Sequence, residues 1–98
     1  MKMVHKFILG INEFPSVQKV QMQHGASILS VQKQNDKICI WAEVDNACQT
    51  MQERTFIVIG TGLPFPSGSK SRDRIFLATV QHGNYVWHIY ESTSERLS

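Results

Sequence analysis

Residues 40–66 read IWAEVDNACQTMQERTFIVIGTGLPFP. An apolar strand ends in a carboxylate at Asp45, a polar connection follows, a second strand runs through RTFIVI at 54–59, and Gly-Thr-Gly-Leu-Pro stops it. A run that is β-branched and apolar on both faces suits a strand covered on both sides, so 54–59 is expected at the centre of a sheet. The connection at 46–53 reads either as one short helix capped by Asp45 or Asn46, or as a polar loop.

Upstream, Asn35-Asp36 separates two alternating runs, 26–34 and 37–45, and both residues tolerate the positive φ of a tight hairpin turn. If Gln34 faces Lys37, then Val31 faces Ile40 and Leu29 faces Ala42 on one side, while Ser30, Gln32, Cys39 and Trp41 share the other. Downstream, Gly83-Asn84 separates 75–82 from 85–91. Pairing His82 with Tyr85 puts Phe76, Ala78, Val80, Trp87 and Ile89 on a core face, and Leu77, Thr79, Gln81, Val86, His88 and Tyr90 on a half-polar one. Residues 3–9 and 17–22 are further strands, parted by a turn at 12–16 that contains Pro15. The expected fold is all-β: a small antiparallel β-sandwich or partly open barrel of about six or seven strands with at most one short helix. It forms a single domain over 1–91, with a polar tail at 92–98.

At 98 residues and 42% hydrophobic, the chain holds one core. A domain this small leaves about a third of its unfolded-state surface exposed, which makes burial against a partner a common supplement. Ten basic and eight acidic residues give a net charge of +2 without long blocks, which is no nucleic-acid signature. The sequence shows no apolar secretory segment after Met1 and no run of the roughly 20 residues that cross a membrane. With Cys39 and Cys48 read as free thiols, the expected location is the cytoplasm.

The central stretch resembles a family of short proteins of unknown function found mainly in bacteriophage and prophage genomes. The resemblance is carried by Trp41-Ala42-x-Val44-Asp45, by Glu53-Arg54 in a polar spacer, by Phe56-x-Val58, by Gly60-Thr61-Gly62, and by the prolines Pro64 and Pro66. These motifs are structural punctuation with no catalytic residue among them. The resemblance implies a short accessory protein that acts stoichiometrically on a host protein or defence component. Residues 46–52 and 67–74 have no counterpart in that pattern.

Residues 60–74, rich in Gly, Pro and Ser, end in Lys70, Arg72 and Arg74. Their GLPFPSGSKS run fails as a phosphate loop, because five residues separate its glycines, two of those are prolines without an N–H, and no helix follows. The three cations instead suit charge-assisted contacts to an anionic ligand or partner. His5, His24, His82 and His88 lack the spacing of metal ligands, and two cysteines nine residues apart make a poor zinc pair. Glu43 and Asp45 alternate beside Trp41 as a glycosidase pair would, but read more simply as acids on a solvated strand. Trp41 reads as second-sheet core, as a subunit-interface anchor, or as a platform for a stacked base. The candidate binding residues are Lys70, Arg72, Arg74, Trp41, His88 and Tyr90, with no catalytic residue, metal or cofactor expected. The function expected is a non-enzymatic binding module acting on a host protein as a homo-oligomer, such as a dimer, with neither nucleic acid nor membrane as partner. The alternatives are an oligomer that sequesters a nucleotide-like anion and a minor virion component.

Overall fold

The computed structural model describes residues 1–10 and 16–93. Among them, seven strands occur in chain order: β1 (Lys2–Leu9), β2 (Ser16–Gln23), β3 (Ser27–Gln34), β4 (Lys37–Asp45), β5 (Met51–Gly60), β6 (Arg74–His82) and β7 (Tyr85–Ser92). They form two antiparallel sheets, β1-β4-β3 and β2-β5-β7-β6, packed as an open sandwich. The expected turn at 12–16 lies outside the described residues up to position 15.

Period-two patterning decides what each sheet turns inward. On β4, Ile38, Ile40, Ala42 and Val44 are buried against Phe56 and Val58 of β5, Val80 of β6, and Trp87 and Ile89 of β7. Full burial of one such large side chain stabilises by about 1.5–3 kcal/mol. β5 pairs β2 on one side and β7 on the other, and its outward residues Ile57 and Ile59 are buried as well. The strand is therefore central and covered on both faces, as its sequence requires.

Both expected hairpin registers hold at their turns and then slip. Gln34 faces Lys37, Val31 faces Ile40 and Ser30 faces Trp41, but a bulge at Leu29 puts Ile28 opposite Ala42. Leu29 is thereby turned out and 54% exposed, while Ile28 packs on the core. In the second hairpin His82 faces Tyr85 and Ala78 faces Ile89, and a bulge at Leu77 then moves Phe76 to the outer face opposite Tyr90. Leu77 packs on the core in its place. In both segments adjacent residues are apolar, so either can serve as the core residue and alternation carries no mark of the extra one. Asn35 and Gly83 occupy the first turn positions with φ of 56° and 61°, as tight hairpins demand.

The short helix offered for 46–53 does not form. Asp45 Oδ1 accepts the Ala47 N–H at 3.0 Å, Cys48 N–H bonds Asp45 O at 2.9 Å, and β5 begins at Met51. The helical turn among the described residues is instead a 3-10 turn, Ser71–Asp73, within the 60–74 connection. β7 runs through Ser92, one residue beyond the expected end of the domain, and Thr93 N–H bonds Asp73 O at 2.8 Å.

One ion pair is placed inside the sandwich. Arg54 Nε and Nη2 donate to the two carboxylate oxygens of Glu91 at 2.5 and 2.8 Å, and Nη1 donates to Ala26 O. The fork joins β5 to β7 within one sheet and reaches the chain just before β3 of the other, so it fixes how the two layers meet.

Candidate functional site

The 60–74 connection leaves the centre of the four-stranded sheet and folds back over its outer face. Gly62, at φ 87°, supplies the positive dihedral of a turn that Leu63 N–H closes onto Gly60 O at 3.1 Å. Gly60 has a different reason to be glycine: a Cβ there would lie 2.8 Å from Trp87 Cζ3 and 3.2 Å from Leu63 Cδ1.

Beyond the turn, Phe65 packs on Ile57, Ile59 and Tyr90. Its ring meets Tyr90 edge-on at 5.2 Å, and Tyr90 meets Phe76 edge-on at 5.5 Å, giving an aromatic row across β7 and β6. The Arg74 guanidinium lies 3.6 Å from the Phe65 centroid and 5.8 Å from that of Tyr90, and Nη1 donates to Ser69 Oγ at 2.9 Å. A cation over a ring face in this range contributes about 0.5–2 kcal/mol, so the aromatic row and the connection hold Arg74 in a single orientation.

His88 anchors the start of the connection. Its Nε2 lies 2.7 Å from Thr61 Oγ1 and its Nδ1 3.0 Å from Thr79 Oγ1, the cross-strand neighbour. A hydroxyl and an imidazole at this distance resemble a nucleophile and its base, yet the group behind the ring is a second hydroxyl, whereas the common triads place a carboxylate there. What the arrangement does is tie the 61–63 turn to β6 and β7. A depression of about 220 Å³ opens between Thr61, Phe65, His88 and Tyr90.

A family model described as a domain of unknown function, DUF7352, matches residues 1–98. The chain belongs to the DUF7352 family. No curated protein and no solved structure matches it.

In this DUF7352 domain three of the six candidate residues come together, Arg74, His88 and Tyr90, on the outer face of the four-stranded sheet. Lys70, which caps the 3-10 turn, and Arg72, within it, are exposed on the same connection. Trp41 is elsewhere, half-buried on the outer face of the three-stranded sheet, between Lys6 of β1 and Ser30 of β3 in register. It is not second-sheet core, since the inward residues of β4 are its neighbours Ile40 and Ala42. Of the acids beside it, Glu43 is exposed, while the Asp45 carboxyl is held below its ordinary value by the Ala47 N–H it accepts and by the Met1 amino group at 3.3 Å. Both cysteines are free, and among the described residues no three His, Cys, Asp or Glu side chains converge as a metal site.

Sequence reading missed Phe65, Phe76, Thr61 and Thr79. The expected hairpin register already pairs Thr79 with His88, whereas the bulge hides Phe76. Phe65 lies in a connection without periodicity, where no pattern marks a residue that folds back.

Proposed function

We propose that this DUF7352 domain is a non-enzymatic, phage-type binding protein that acts as a homodimer on an acidic surface of a host protein or defence component in the host cytoplasm. The observation that carries the reading is the guanidinium of Arg74, fixed over Phe65 and beside Tyr90, with Phe76 exposed at 54% and Lys70 and Arg72 exposed nearby. Aromatic and arginine side chains dominate binding energy at protein interfaces, and anchors already immobilised lose little entropy on association. Exposed cations at the border add complementarity to acidic residues and speed encounter. The depression of about 220 Å³ has no lysine or arginine on its lining, which favours an extended protein surface over a sequestered nucleotide-like anion. The phage-type reading is supported by the resemblance of 40–66. Among the described residues no helix is long and apolar enough to cross a membrane.

The second copy is assigned to the other sheet. Its outer face carries Trp41 with exposed Val4, Ile8 and Leu29, and charges of both signs in Lys6 and Glu43, which a two-fold contact can pair.

The test is capture of partners from host lysate by wild type and by Lys70→Ala/Arg72→Ala, each at low and high salt. A partner held only by wild type and released by salt is the expected result. A partner retained equally by the double variant would remove the basic face from the reading.

A further inference from the structure

Four strands border the two sheets, β1 and β3 in one, β2 and β6 in the other. An edge strand presents unpaired N–H and C=O groups on alternate residues, and folds commonly blunt it with a bulge, a proline, a charge or a cover. β3 and β6 carry the bulges at Leu29 and Leu77 and run close to each other. β2 pairs β5 without a break but shows little apolar surface, since Val17 and Val20 are half-buried and Met22 is buried. β1 is the least defended. It pairs β4 in register over the whole of Lys2–Leu9, contains no proline, and leaves Val4 and Ile8 exposed on its outer face and Met3 on its inner one. Its two lysines are drawn inward from the edge: Lys6 Nζ donates to Gln34 Oε1 of β3, beyond β4, at 2.8 Å, and Lys2 faces Asp45.

We infer that β1 pairs antiparallel with β1 of a second copy across a two-fold axis at His5, joining the two three-stranded sheets into one of six strands. The inference rests on the reading that a second copy occupies this sheet, and it names the contact that reading leaves open. Residues directly opposite in an antiparallel pair share a face, so the axis must pass beside a residue of β1 and the registers are few. An axis at Val4 sets Lys2 against Lys6 twice, and an axis at Lys6 sets that lysine against itself. Axes at Met3 or Phe7 leave much of the strand unpaired. At His5 all of 2–8 pairs, with Lys6 opposite Val4, Lys2 opposite Ile8 and Met3 opposite Phe7, so no like charges meet. Phe7 packs on the core, and Met3 of the second copy extends that core across the junction. On the outer face one row runs through Trp41 and Lys6 to Val4 and Glu43 of the second copy. Lys6 and that Glu43 then stand two strand spacings of about 4.8 Å apart, a gap their long side chains span over a valine.

The full chain is compared with Val4→Lys and Val4→Glu by analytical ultracentrifugation across a concentration series, while amide exchange on β1 is followed by NMR. Val4 is 57% exposed, so both variants are expected to keep the native spectrum. Val4→Lys sets a lysine against Lys6 on both sides of the axis and is expected to weaken the dimer about tenfold, whereas Val4→Glu is expected to hold it at least as tightly as wild type at low salt. Within one copy Val4 faces Glu43, so the local bias favours lysine over glutamate and cannot produce this order. In wild type, the edge-facing amides on alternate residues of β1 are expected to be protected in the dimer and to lose protection on dilution to monomer. A dimer whose edge-facing β1 amides exchange freely, and which both charges weaken equally, overturns the edge pairing and leaves a face contact through Trp41 standing. Protected β1 amides with equal loss from both charges overturn the axis at His5. Protection gained on β2 instead overturns the inference and the assignment of the second copy to this sheet. A wild-type monomer at every concentration overturns the inference and the homodimer together, and leaves the basic-face reading untouched.

Discussion

Replacing Glu91 with Gln keeps the shape of the side chain inside the sandwich and removes its charge. In the native protein Glu91 holds the Arg54 guanidinium through two charge-assisted hydrogen bonds, with side-chain exposures of only 13% and 16% for the pair. After the substitution the guanidinium keeps Ala26 O and one amide oxygen, and stays buried without a counter-charge. Breaking a buried pair from one side costs about 3–5 kcal/mol, and the residual contact with water places this one at about 2–4 kcal/mol. Domains of this size have about 5–15 kcal/mol in total, so the loss is a large fraction. The double variant Arg54→Met/Glu91→Leu leaves no charge uncompensated and is expected to cost less than either single change. Equilibrium urea unfolding of wild type, both single variants and the double variant gives the coupling directly. If Glu91→Gln lies within about 0.5 kcal/mol of wild type, the Arg54 guanidinium does not depend on its counter-charge and the pair adds nothing to the stability of the sandwich.

Other expected outcomes follow from single contacts. Gly60→Ala places a Cβ 2.8 Å from Trp87 Cζ3 and is expected to cost about 1–3 kcal/mol by urea unfolding, with altered tryptophan fluorescence as the ring gives way. Trp41→Ser is expected to turn the dimer into a monomer in native mass spectrometry with the fold intact by circular dichroism; a wild-type monomer, or an unchanged dimer in the variant, would refute the assigned interface. Asp45 has a folded-state carboxyl value below the unfolded value of about 3.9, so its contribution is present above that value and lost as pH falls through the folded one. The urea midpoint of Asp45→Asn should therefore sit below that of wild type at pH 6 and converge on it in acid, and parallel pH profiles would refute the linkage. Leu29→Ser, at the outward bulge, is expected to stay within about 0.5 kcal/mol of wild type, while Ile40→Ala in the core costs about 2–5 kcal/mol.

Legibility in the sequence tracks how far local rules determine geometry. Strand identity, the two hairpin turns and the central place of β5 follow from patterning and turn chemistry, both of which act within a few residues. The bulges at Leu29 and Leu77 do not, because Ile28-Leu29 and Phe76-Leu77 offer two apolar candidates for one inward position and only the facing sheet chooses between them. Sheet membership is longer in range still. Nothing local to 2–9 or 16–23 says that the first pairs β4 and the second β5, which puts two neighbours in sequence into different sheets.

The candidate site was visible as ingredients and hidden as an arrangement. Lys70, Arg72 and Arg74 look equivalent in sequence, three cations at alternate positions of one connection. The fold makes them unequal: Arg74 opens β6, stacks over Phe65 and ceases to be a free surface charge, while Lys70, just before the 3-10 turn, and Arg72, within it, stay in solvent. That division follows from the slip at Leu77. By turning Phe76 outward opposite Tyr90, the bulge extends the aromatic row along which Phe65 and Arg74 settle. Tyr90 is thus the centre of the aromatic row, in edge contact with Phe65 on one side and Phe76 on the other. Its replacement by alanine should release Arg74 and loosen the connection while leaving the inward cluster of Trp87, Ile89 and Val80 in place. Faster amide exchange confined to 61–74, with protection retained on β4 and β5, is the expected signature. Loss of protection throughout the sandwich would show that the outer row belongs to the core, and that no separately ordered binding face exists.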